Sequence, residues 1–86
     1  MRHEELKERF FFVQSSEHTI EDDRYVLKNP NCPKACVSIS DTFGARRYCA
    51  TVDIGKHGIM HETFSTLHIA MARTIEMDER FYDYID

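Results

Sequence analysis

The chain lacks any apolar run near the roughly 20 residues that a bilayer-spanning helix needs. Its opening stretch, MRHEELKERFFFV, puts charge into every turn, where a secretory leader would show an apolar core followed by small residues. A cytoplasmic location is therefore expected. Glycine (three) and proline (two) are scarce, and there is no repeat, linker or low-complexity segment. One domain over residues 1–86 follows. It has one small core, since a chain of this length buries only about 60–65% of the surface its unfolded form exposes. Three cysteines is an odd number, which argues against a disulfide-held secreted fold and for reduced thiols. No catalytic motif of known specificity is present. What is present is 42% hydrophobic and 12% aromatic residues against a net charge of −4, enough apolar surface to fold.

Residues 4–14 place Leu6, Phe10 and Val13 at helical spacing, with Glu4 and Glu5 in the first turn where the helix dipole favours them. This predicts a first helix. Residues 15–23 (SSEHTIEDD) predict a loop, RYVL a short strand at 24–28, and KNPNCPKA a turn-rich connection. CVSIS and RRYCATVDI both alternate, and a loop over 41–44 pairs Val37 with Tyr48 and Ile39 with Arg46. GKHG then predicts a bulge turn with Gly58 left-handed, setting Ile54 against Met60, Val52 against Glu62 and Ala50 against Phe64. Arg46 and Glu62 are the two polar residues on that otherwise apolar face. After Ser65 or Thr66 as cap, residues 67–85 have helical period, with Leu67, Ala70, Met71, Thr74, Ile75, Asp78, Phe81, Tyr82 and Ile85 on one side. The expected fold is α+β: a three- or four-stranded antiparallel sheet with N- and C-terminal helices on one face, in the order α-β-β-β-α. The other face is left open.

That register puts Cys36 across from Cys49 on the open side, with Ser38, Ser40, Arg47, Thr51, Asp53, His61 and Thr63, while Cys32 sits in the preceding loop. A tetrahedral zinc site could draw on Cys32, Cys36, Cys49 and His57 or His61, but only Cys32 and Cys36 have the close spacing of a zinc knuckle. Free thiols are the expectation, ahead of zinc or a Cys36–Cys49 disulfide, and no cofactor is implied. Cys49, His61 and Asp53 form the best nucleophile–base–acid set available. With five histidines and fifteen acids in 86 residues, some such triple falls on one side by chance, so a non-enzymatic protein is expected.

Acid is more informative. Glu76, Asp78, Glu79 and Asp83, with Asp86, crowd a helix C-terminus, where the dipole prefers cations and each acid costs a few tenths to about 1 kcal/mol. A second cluster, Glu17, Glu21, Asp22 and Asp23, follows the first helix. Two such clusters suit a basic partner. Tyr82 and Tyr84 among the carboxylates suit a mixed polar and apolar contact. The alternative is self-association, a homodimer covering the open sheet face or an edge strand.

From residue 48 onward the hairpin-then-helix layout resembles double-stranded-RNA-binding domains. The departure is at the start of the last helix, where that family carries lysines and this chain has Thr66, Leu67 and His68; direct nucleic-acid binding is accordingly not expected. Phe64, Ser65, Thr66 and Ala70, in the pattern F-S-T-x-x-x-A, resemble small phage-encoded inhibitors of host machinery of the anti-CRISPR type. That resemblance implies an acidic surface blocking the basic groove of a larger host protein or ribonucleoprotein in the host cytosol. The implied contacts are Glu21, Asp22, Asp23, Glu76, Asp78, Glu79, Asp83, Tyr82 and Tyr84.

Overall fold

The computed structural model of the protein describes residues 2–15, 23–42 and 44–83. Helix α1 (His3–Glu8) leads through Arg9 into strand β1 (Phe10–Val13), followed by β2 (Arg24–Leu27), β3 (Lys34–Thr42), β4 (Ala45–Asp53), β5 (Ile59–Phe64) and helix α2 (Leu67–Glu79). The five strands form one antiparallel meander in chain order, and both helices lie on one face. The fold is α+β, with five strands where three or four were expected.

The extra strand comes from the segment expected to continue the first helix. Phe10–Val13 is three aromatics and a β-branched residue, which lose side-chain freedom in a helix and pack well on a pleated surface. Arg9 closes α1, its N–H donating to the carbonyls of Leu6 and Lys7, and β1 then pairs along β2 from Phe10↔Leu27 to Val13↔Arg24. Leu6 and Phe10 are still delivered to the core, one from each element.

Val37 of β3 with Ala50 and Val52 of β4 meets Ala70, Met71 and Ile75 of α2, all buried. Full burial of each larger aliphatic side chain contributes about 1.5–3 kcal/mol. Both central hairpins are shifted by two residues from the expected register: Val37 faces Ala50, Ile39 faces Tyr48, and Val52 faces Met60. An even shift leaves every side chain on its expected face, because the strand period is two. At the first hairpin the ladder runs on to Asp41↔Arg46 and Thr42↔Ala45, and Arg46 Nε donates to Asp41 Oδ1 at 3.0 Å. At the second, Gly58 has positive φ (+108°) and so does Gly55 (+67°), with a 3-10 turn over Gly55–His57.

Glu62 does lie on the helix-covered face, at the sheet edge, where Arg73 of α2 meets it at 2.7 Å. The last helix stops earlier than expected: Arg80 closes it with N–H bonds to Glu76 and Asp78, and a 3-10 turn follows over Phe81–Asp83. Thr66 holds the N-cap backbone position without a side-chain capping bond, and its buried hydroxyl has no partner among the described residues. No helix among those residues is long and apolar enough to cross a membrane.

Candidate functional site

The meander order of the strands sends the three cysteines to different places. Cys32 belongs to the loop between β2 and β3 and packs in the core on the helical side, whereas Cys36 and Cys49 lie on the opposite face of the sheet. The proposed zinc set is therefore not brought together, and no three His, Cys, Asp or Glu side chains converge as a metal site among the described residues. Cys36 pairs with Thr51 and Cys49 with Ser38, so the two thiols are diagonal neighbours and not opposite each other. A diagonal spacing of about 7–8 Å is beyond disulfide reach, and all three thiols are free.

Burial pushes the Cys32 thiol up to about 12, and the adjacent Asp78 carboxylate adds to the shift. Burial also raises Cys36, against the opposing pull of Lys34, a hydrogen bond from Ser38, and Arg24. Neither is an activated nucleophile. The Cys49, His61 and Asp53 set is not assembled either. Cys49 Sγ lies 3.6 Å from the Thr51 hydroxyl, His61 faces Thr51, and the Asp53 carboxylate accepts the Gly55 N–H at 2.7 Å to shape the turn.

The acidic candidates divide sharply. Asp78, expected as an outward contact, is 4% exposed. Its carboxylate accepts the backbone N–H groups of Asn31 (2.9 and 3.0 Å) and Cys32 (2.9 Å), while its own carbonyl accepts from the Asn31 side chain. The turn-rich KNPNC segment has backbone donors that no ladder satisfies, and Asp78 supplies the acceptor. Glu76 is exposed but meets Arg73 Nη1 at 2.9 Å and Arg80 Nη2 at 3.7 Å. Arg73 thus bridges Glu62 and Glu76, and those carboxylates hold its guanidinium protonated more firmly than usual.

Asp23 accepts the Ser15 N–H at 2.6 Å, which holds its carboxyl below the usual range. It sits at the start of β2, where its carbonyl accepts from Ile39, whereas Asp78 holds the loop beyond the other end of that strand. The described member of the second cluster, Asp23, is thus at the opposite end of the sheet from Asp78. Glu21, Asp22 and Tyr84 lie outside the described residues. Glu79 and Asp83 remain: both are exposed and without an ion pair among the described residues, and Tyr82 beside them is 60% exposed.

Two features escaped sequence reasoning. One is the anchoring role of Asp78, signalled by its place on the inner side of a helix facing a proline-rich loop. The other is the sign of the sheet face opposite the helices. There the strands present Arg24, Lys34 and Arg47 against a single carboxylate, Asp53, which is directly opposite Lys34. The helical segments, 3–8 and 67–83, hold seven acids against three cations. Phe11 also lies on that sheet face, 47% exposed, in one cross-strand row with Val26, the buried Cys36, Thr51 and His61. A groove of about 520 Å³ is lined by Phe12, Tyr25 and Ile39 of the other face, with Asp23 and the Asp41–Arg46 pair.

Compared with protein-family models, curated proteins and solved structures, the chain finds no significant match.

Proposed function

We propose that the protein is a non-enzymatic binding module whose acidic helical layer docks on a basic surface of a larger nucleic-acid-handling protein or ribonucleoprotein, blocking it in the manner of an anti-CRISPR-type inhibitor. The observation that carries this reading is the pair Glu79 and Asp83, exposed on either side of Tyr82 at the C-terminal end of α2. Carboxylates there oppose the helix dipole. Asp78 offsets that cost by holding the β2–β3 loop and Glu76 by pairing with arginines, but no ion pair among the described residues does so for Glu79 and Asp83. An outside cation would.

The test uses the immobilised chain challenged with a lysate of its native host at rising salt. A partner that salt releases, and that an E79K/D83K variant no longer retains at an unchanged unfolding midpoint, supports the reading. Equal retention by that variant rejects it.

A second reading, self-association, rests on β1. This edge strand carries Phe11 and Phe12 half exposed on opposite sides, and none of its four residues is a charge or a proline that would discourage pairing. A dimer in sedimentation that Phe12→Lys converts to monomer supports it, and a monomer at all concentrations removes it.

A further inference from the structure

The helical layer, acidic as a whole, contains a cationic cleft. Where α1 packs on the first turn of α2, a cavity of about 180 Å³ is lined by His3 and Lys7 from the one helix and by Leu67, His68 and Met71 from the other. His3 and Lys7 are four residues apart and so share one side of α1. The His3 and His68 rings stack across the cleft with their centroids 4.0 Å apart. Leu67 and the fully buried Met71 make its apolar wall. Among the described residues no carboxylate lines it, those of Glu4, Glu5 and Glu8 on α1 included, and Lys7 makes no ion pair.

We infer that this cleft binds a phosphate group, free or as the monoester of a small molecule, with the Lys7 ammonium and the ring N–H groups of His3 and His68 as donors. An ammonium and two imidazoles around one cavity, with no acid in its walls, leave the compensating charge to come from outside. Number selects among anions: three donor side chains match the three strong acceptor oxygens of a phosphomonoester, whereas a carboxylate has two. Size agrees, since the cavity equals about six waters at 30 Å³ each, room for one tetrahedral group and the first atoms of whatever it is attached to. The first turn of α2 works in the same direction, because it carries no acid and Thr66 gives it no side-chain cap. The inference goes beyond the basic-partner reading and uses neither Glu79 nor Asp83, so each can fail alone.

The test is amide NMR of the whole protein titrated with sodium phosphate at constant pH and ionic strength, with sodium chloride as the control. Saturable shifts at Lys7, Leu67 and His68 are expected, with a Kd of about 1 mM. Lys7→Met should weaken binding about fivefold and Lys7→Arg should restore it. His68→Phe keeps a ring to stack on His3 but deletes the donor, and should weaken binding by about the same factor. Lys56→Ala removes an equal charge beyond the far end of β5, and E79K/D83K alters the other end of α2; each should change Kd by less than about twofold. Phenyl phosphate separates the two sources: tighter binding than the inorganic ion assigns the cleft to an ester whose body lies on Leu67 and Met71, and weaker binding assigns it to free phosphate. No saturable shift by about 20 mM phosphate overturns the inference. So does equal weakening by Lys7→Met and Lys56→Ala, or a set of shifts that sodium chloride reproduces.

Discussion

The helical layer and the sheet face opposite it are built from the same 86 residues and differ in sign. The first carries seven acids and three cations, the second three cations and one acid among its strand residues. A net charge of −4 averages the two and describes neither. They also differ in how the charges are held. Helical acids divide into groups used within the fold (Asp78, Glu76) and groups that face outward (Glu79, Asp83), so position within a cluster, and not its total, decides what a carboxylate does.

The contrast between Asp78 and its neighbour Glu79 is the sharpest place to break this comparison. Asp78→Ala leaves two loop N–H groups without their charged acceptor, and should cost about 3 kcal/mol in urea unfolding, with hydrogen bonds to charged groups at about 1.5–3 kcal/mol each. Glu79→Ala should stay within about 0.5 kcal/mol. Equal effects would erase the division between anchoring and presented acids.

Alkaline stability gives the next largest effect. Because the folded state raises the Cys32 thiol from 9.0 to about 12, its contribution is complete below pH 9 and should be lost as pH rises from there through about 12. In Cys32→Ala that part of the loss should disappear, whatever its cost at neutral pH. Alkylation at pH 8 should modify half-buried Cys49 first and Cys32 only on unfolding.

Arg73→Ala removes the bridge between β5 and α2 at Glu62 and Glu76. These partners are partly exposed, so about 0.5–1 kcal/mol is expected, diminished by salt. Smallest is Thr66→Val, which deletes a buried hydroxyl with no partner among the described residues and should be neutral or slightly stabilising by thermal unfolding.

Much of the fold was legible because strand alternation assigns faces without knowing the partner. Val37, Ala50 and Val52 were placed on the covered side, and Cys36, Thr51 and His61 on the other, even though both hairpin registers were out by two residues. What escaped was local competition. Leu6, Phe10 and Val13 keep helical spacing across a boundary at Arg9 that only strand pairing with residues 24–27 reveals. Asp78 was read correctly as facing inward by period and then treated as an outward contact by charge; the loop that needs it is 46 residues earlier in the chain. The cations of the open face are spread over three strands and never adjacent, so no window of sequence collects them.

Only Arg9 separates α1 from β1, and that economy of linker has a mechanical meaning. With no slack between them, the amino-terminal helix cannot fray independently: lifting Leu6 from the core pulls on the strand carrying Phe10, and peeling that strand unseats the helix. Amide protons in both segments should therefore exchange at one common rate, as a single opening unit.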